Sequence, residues 1–201
     1  MRYVAIDTSG KNLTVIIHKD GKYFTEYDAE CGVNHSVALM PKLQELCEKA
    51  DFDLSTADFF ACAVGAGSFT GIRIGVATIK AMCFAFNKPC LSITSFDTLA
   101  YNVDGKVMAV IDAKHNGYYV CGYDDGKVVF EPSYVMRDKL EELAKEYSLV
   151  SSTPLDGFEY KIVSVADGLM KAVEKKVDKV SSDVETLAPL YVRKSQAEEG
   201  R

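Results

Sequence analysis

Several features that would point directly to a function are missing from this 201-residue chain, and each absence removes a class of reading. Six cysteines, at positions 31, 47, 62, 83, 90 and 121, contain no Cys-x-x-Cys pair, and most sit inside apolar segments. They read as small buried hydrophobes in a reducing compartment, not as a zinc site or a disulfide frame. Only three histidines occur, His18, His35 and His115, and they are scattered without ligand spacing, so no metal site is expected. A basic excess is absent as well: 23 Lys and Arg against 29 Asp and Glu give a net charge of −6, which disfavours unaided binding to nucleic acid. The one basic cluster, Lys171, Lys175, Lys176 and Lys179, is interleaved with Glu174 and Asp178 and reads as a solvated helix face. No apolar run reaches the ~18 residues of a membrane span, because Arg73 and Lys80 break the longest candidate. The opening Met1–Asp7 reads as a strand, too short and too early charged for a secretory signal. A soluble, cytoplasmic protein without a membrane partner is expected.

With 48% hydrophobic and 26% charged residues the chain has an ordinary globular composition and can bury a core as one domain or two small ones. Its organising stretch is Gly65-Ala66-Gly67-Ser68-Phe69-Thr70-Gly71-Ile72-Arg73-Ile74-Gly75, continuing to Phe86. The glycines let the backbone turn sharply out of the apolar strand at 59–64 and approach another group closely. Ser68 or Thr70 is placed to cap the helix that follows. Between Thr70 and Phe86 the only charges are Arg73 and Lys80, and Ile72, Ile74, Val76, Ile79, Met82, Phe84 and Phe86 point to every side. A helix that is apolar all round needs cover all round. One side is expected against the chain's own sheet and the other against a second helix, either within the chain or from another subunit. Gly71, Gly75, Ala77, Ala81 and Ala85 would admit such a neighbour closely.

In chain order, residues 2–7, 13–18 and 22–29 read as three strands joined by hairpin turns, followed by a helix capped at Ser36 and running to Ala50. Pro41 should kink that helix or delay its start. After the strand at 59–64 and the central helix come a strand at 90–93 and a short helix capped by Ser95. A polar joint at 102–106 precedes strands at 107–111, 118–123 and 127–130, then helices at 136–147 and 165–177. The tail from Gln196 to Arg201 has no apolar pattern and reads as frayed. The second half thus opens β-β-β-α like the first, which gives two related lobes, 1–102 and 103–201, the second truncated.

Two β-β-β-α lobes, each opening on an aspartate, resemble the actin/Hsp70/sugar-kinase superfamily. The resemblance implies an α/β fold of two actin-like (ASKHA, ribonuclease H-like) lobes with mixed β-sheets flanked by helices. In that superfamily ATP lies between the lobes, held by Asp-x-Gly hairpins. Here Asp7-Thr8-Ser9 and Asp112-Ala113-Lys114 keep the aspartate and lack the glycine, so the cleft residues Asp7, Thr8, Gly67, Ser68 and Asp112 are candidates to face a phosphate but serve equally as structural turns. No cofactor is expected, with weak binding of ATP or ADP left open.

A closer resemblance lies in the glycine stretch itself, which is similar to the Gly-Pro-Gly-Ser-Phe-Thr-Gly-Leu-Arg-Ile-Gly signature of the TsaB (YeaZ) family, with Ala66 in place of proline. Asp7-Thr8-Ser9, His35-Ser36 with Leu39 and Pro41, Ser95-Phe96-Asp97-Thr98-Leu99-Ala100, Ile111-Asp112-Ala113 and Pro189-Leu190-Tyr191-Val192-Arg193 also match. The resemblance implies a non-catalytic accessory subunit, a paralogue of the TsaD enzymes that transfer threonylcarbamoyl to adenosine 37 of ANN-decoding tRNAs. TsaD carries metal on a His-x-x-x-His pair, where this chain has Ser95 and Leu99. Neither is a useful ligand for a transition metal.

It further implies that the first and central helices pack on the same pair of a second molecule, through Ser36, Met40, Leu43, Thr70, Arg73, Ile74, Ala77 and Ala81. The implied partners are a TsaD-type catalytic subunit, a second copy of the chain when alone, a TsaE-type ATPase in the larger complex, and tRNA only through that complex. Arg73 is expected to meet a carboxylate across the interface. Two enzymatic alternatives stand beside this reading. One is a small ATP-dependent kinase or ATPase of the same fold. The other is a peptidase, for which Ser68, His35 and Asp97 are available but nothing selects them.

Overall fold

The structure is a computed structural model that describes residues 1–32 and 34–193. Three strands come first, β1 (Tyr3–Asp7), β2 (Leu13–Lys19) and β3 (Lys22–Asp28), then α1 (His35–Ala50). β4 (Phe59–Ala63), α2 (Phe69–Phe86), β5 (Cys90–Ile93) and α3 (Ser95–Ala100) complete the first half. The second half runs β6 (Lys106–Asp112), β7 (Gly117–Asp124), β8 (Lys127–Met136), α4 (Arg137–Leu143), β9 (Ser148–Ser151), β10 (Lys161–Ile162) and α5 (Val165–Lys176).

The strands form two five-stranded sheets, β3-β2-β1-β4-β5 and β8-β7-β6-β9-β10, so the two halves repeat one topology. In each, an antiparallel meander is extended by parallel strands: β1 pairs antiparallel with β2 and parallel with β4, as β6 does with β7 and β9. β1 is buried throughout and is apolar from Tyr3 to Ile6 before it ends on Asp7, as suits a central strand covered on both faces. The edge strand β8 accommodates Pro132, whose missing N–H costs nothing on a free edge.

Truncation of the second lobe takes a different form from the one the sequence suggests. Its sheet is complete, with β9 and β10 short at 4 and 2 residues, and a helix corresponding to α2 is what it lacks: irregular chain at 152–160 joins β9 to β10. The helices also cross the expected boundary at residue 102. Leu169, Ala172 and Val173 of α5 pack on Tyr3, Ala5, Phe59 and Leu91 of the first sheet, and Leu187 joins that lobe's core. α1 and α2 cover the opposite face, where Leu39, Leu43, Ile72, Val76 and Ile79 pack against Val4, Ile6, Val15, Phe60 and Cys62.

Several local expectations shift. α1 starts at His35 after Asn34 and runs through Pro41 without a side-chain cap, so Ser36 caps nothing and Pro41 does not delay the start. α3 is capped by Thr94, not Ser95, through a box in which Asp97 bonds back to the Thr94 N–H. α4 stops at Leu143, short of the expected Tyr147. The expected fray at 196–201 lies outside the described residues. α2 is long and apolar enough by length and composition alone to cross a membrane, its two charges notwithstanding, but Gly71, Ile72, Gly75, Val76, Ile79, Met82 and Cys83 are buried in this fold.

Candidate functional site

The glycine signature places α2 against the turn that leaves β1. Ser68 donates its N–H to the Ser9 carbonyl at 2.7 Å, and its hydroxyl caps the helix by accepting from Gly71 N–H at 3.2 Å. The Thr8 hydroxyl donates to the Gly71 carbonyl at 2.7 Å. A Cβ on Gly71 would lie 2.0 Å from the Thr8 carbonyl oxygen, and one on Gly75 would lie 2.6 Å from the Thr8 hydroxyl. Gly71 and Gly75 therefore admit the chain's own turn, not a partner helix. Thr8 is buried beneath α2 and does not line the cleft.

The outer side of α2 is a different surface. Thr70, Arg73, Ala77, Ala81 and Ala85 are exposed, Ile74 is half-buried, and Phe84 is 68% exposed. On the adjacent α1, Ser36 is exposed, Val37 is 74% exposed and Met40 51%, whereas Leu43 at 1% points into the core. Leu43 thus supports the face from within instead of lining it. Arg73 already has a partner in its own chain: its Nε–H donates to the Tyr191 hydroxyl at 2.7 Å, and its guanidinium carbon lies 5.5 Å from that ring's centre. Tyr191 in turn stacks on Phe69 at 4.8 Å.

Between the lobes lies a cleft of about 840 Å³, walled by Asp7, Ser9 and Lys11 on one side and Asp112, Lys114 and Ser151 on the other, with Gly67, Ser68, Phe69 and Arg193 at its rim. Its two aspartates sit in the same turn, each accepting at Oδ1 from the backbone N–H two residues on, Ser9 at 2.7 Å and Lys114 at 2.8 Å. Their electrostatics differ. Burial pushes the Asp7 carboxyl above its usual range, and the Ser9 bonds and the nearby His35 only partly oppose this. At Asp112 partial burial also pushes upward, but Lys114, bonded to Oδ2 at 2.6 Å, and the charge of Lys11 hold the carboxyl below its usual value. Where actin-like enzymes keep a glycine, Ser9 hydrogen-bonds Asp7 and Ser95 instead, at 2.7 and 2.8 Å.

Ser95 is a buried hydroxyl bonded to Ser9, and Leu99 is a core residue between the lobes. Among the described residues no three His, Cys, Asp or Glu side chains converge. Ser68, His35 and Asp97 are not brought together: Ser68 caps α2, His35 Nε2 pairs with the Asn12 carbonyl at 3.0 Å, and Asp97 is spent elsewhere. Asp97 is the residue that sequence reasoning undervalued. It is buried and accepts from Thr94 N–H, the Thr94 hydroxyl, the Tyr123 hydroxyl at 3.0 Å and Lys176. Lys176 therefore leaves the solvated face assigned to its cluster, and Lys175 lies over the Tyr101 ring. Thr94-x-x-Asp97 is a capping-box spacing and was the available signal.

The profile of the family described as "TsaD: tRNA N6-adenosine threonylcarbamoyltransferase" matches residues 29–152. The tRNA threonylcarbamoyladenosine biosynthesis protein TsaB of Bacillus subtilis is 32% identical over 157 residues, 73% of this chain and 67% of that one. Its Escherichia coli counterpart of the same name is 24% identical over 167 residues, 76% and 71% of the two chains. The solved structure of YeaZ from Pseudomonas aeruginosa superposes with a TM-score of 0.78 at 22% identity, covering 94% of this chain and 99% of that one, and shows the same fold. A glycine signature folded into the start of α2, two sheets of one topology and these relatives agree: the chain belongs to the TsaB (YeaZ) family.

Proposed function

We propose that this chain works in tRNA threonylcarbamoyladenosine synthesis as a non-catalytic subunit. It docks the outer side of α1 and α2 on a TsaD-type catalytic partner, which transfers threonylcarbamoyl to adenosine 37 of ANN-decoding tRNAs. The observation that carries the reading is the exposure of Val37, Met40 and Phe84 on two neighbouring helices whose inner sides are fully used by the core. Burying one such side chain is worth about 1.5–3 kcal/mol, so a soluble fold that leaves three on adjacent helices has an interface to make. In this reading the same face pairs two copies when the chain is alone, and a TsaE-type ATPase joins the larger assembly. The acidic chain meets tRNA only through the complex, in the cytoplasm.

Size-exclusion chromatography with light scattering, on the chain mixed with a TsaD-type protein, tests this. A mixed complex should form, Ala81→Arg should abolish it, and Val128→Arg on the remote edge strand should leave it intact. Persistence of the complex with Ala81→Arg would sink the assignment of the face. A second reading, weak binding of ATP or ADP, is favoured by Lys11, Lys114 and Arg193 lining a cleft of nucleotide size. The acidic walls at Asp7 and Asp112 oppose it. Calorimetric titration of the isolated chain with ATP decides it, and ATP turnover by the chain alone would favour the kinase or ATPase alternative.

A further inference from the structure

We propose that the cleft between the lobes binds an uncharged ribonucleoside, with ribose hydroxyls donating to Asp7 and the base lying against the apolar part of the lining. The cleft is a separate surface from the outer side of α1 and α2, so this does not depend on the docking role above. Asp7 stands in the cleft wall and is only 4% exposed. Ser9 donates to its Oδ1 through N–H and hydroxyl, each at 2.7 Å. Among the described residues Oδ2 has no hydrogen-bond partner, and with Oδ1 fixed by Ser9 it is the oxygen left for the cleft. A buried carboxylate oxygen without a donor is costly, and one already held in place binds a donor with little loss of freedom.

The groups around Asp7 decide the class of ligand. A phosphate needs open N–H groups, and here they are spent: Ser9 N–H on Asp7, Lys114 N–H on Asp112, and Ser68 N–H on the Ser9 carbonyl. The lysines already face an anion, since Lys114 Nζ bonds Asp112 at 2.6 Å and the charge of Lys11 acts on the same carboxyl. Hydroxyl groups are served better. Besides the Asp7 acceptor, Ser68 and Ser151 each accept from a backbone N–H at 3.2 Å, of Gly71 and Thr153, and keep their own proton to donate. An acceptor and two donors set on facing lobes match neighbouring hydroxyls, which both give and take a hydrogen bond. The rest of the lining is apolar, with Leu99, Val110, Ile111, Pro154 and Val165. A free sugar would leave that part unused, whereas a flat base covers it. The volume of about 840 Å³ lies within the usual range of small-molecule sites.

Calorimetric titration of the full chain with adenosine, uridine, dideoxyadenosine, ribose and ATP tests this. Adenosine or uridine should bind at millimolar concentration or below, and ATP no more tightly than adenosine. Dideoxyadenosine, which lacks the ribose hydroxyl pair, and ribose, which lacks the base, should each bind about tenfold more weakly or worse. Asp7→Asn keeps Oδ1 for Ser9 and turns the Oδ2 acceptor into a donor, so it should weaken adenosine by about tenfold or more. Its melting temperature should not fall below the parent's, which separates a lost acceptor from a lost fold. No binding of either nucleoside, equal affinity for adenosine and dideoxyadenosine, or parental affinity in Asp7→Asn overturns the proposal. Tighter binding of ATP than of adenosine overturns it in favour of a phosphate site, and ribose as tight as adenosine in favour of a free sugar. The Ala81→Arg association test reads another surface, so either result can fail without the other.

Discussion

Asp7 is held in a structural role by the turn that follows β1. Ser9 donates to it twice, through N–H and hydroxyl, and the Ser9 carbonyl receives the Ser68 N–H, so the carboxyl ends a chain of bonds reaching the start of α2. Burial raises its folded-state pKa above the ordinary 3.8. Between those two values the folded state holds more protons than the unfolded one, so stability falls as pH rises through that window and then levels off. Asn in its place still offers Oδ1 to both Ser9 donors and never ionises. Asp7→Asn is therefore expected to melt above the parent at neutral pH, with the gap narrowing toward pH 4. Melting curves across that range check it, and a gap that widens on acidification contradicts the sign.

At the scale of elements, α1 and α2 separate the residues that hold the fold from those on the outer face that the proposed docking would use. Leu43 and Met40 lie three positions apart on α1, one in the core and the other half-exposed. Leu43→Ala should cost about 2–5 kcal/mol of stability. Met40→Ala should leave stability within about 0.5 kcal/mol and weaken association instead. Urea unfolding and the binding assay, run on both variants, check the division.

Helical periodicity made α1 and α5 legible in the sequence, because three- and four-residue apolar spacing survives whatever the helix packs on, while α2 was legible from its glycine turn, its cap and its unbroken apolar length. It could not say which side of α2 faces inward, since both sides are apolar, and so Gly71 and Gly75 looked like room for a partner. Their true neighbour, Thr8, is sixty-odd residues away and enters only through the parallel sheet. β9 and β10 escaped detection for a plainer reason: 4 and 2 residues are too few for a period to show. The link from Arg73 to Tyr191 spans 118 positions and has no local signature at all.

Across the whole molecule the two lobes are joined by α3 and α5 around one buried carboxylate. Asp97, on α3, accepts from Tyr123 of β7 and from Lys176 at the end of α5, so a single side chain gathers three elements from both halves. Removing one partner of a buried ion pair strands the other, at about 3–5 kcal/mol. Asp97→Ala should lose stability on that scale, while Tyr123→Phe should lose about 1 kcal/mol. Urea titration of both variants distinguishes the pair from the single hydrogen bond. A loss below about 1 kcal/mol in Asp97→Ala would mean that the lobes are held by apolar contacts alone.

The repeated sheets would allow a molecule with two docking helices, one on each lobe, related by the internal repeat. Such a molecule would bind copies of itself at both ends and grow head to tail. Replacement of the second helix by the loop at 152–160 leaves a valence of one. If the α1–α2 face docks as proposed, whatever meets it, another copy or a catalytic relative, would close the assembly at that contact, and a duplicated architecture able to make filaments would make a pair instead.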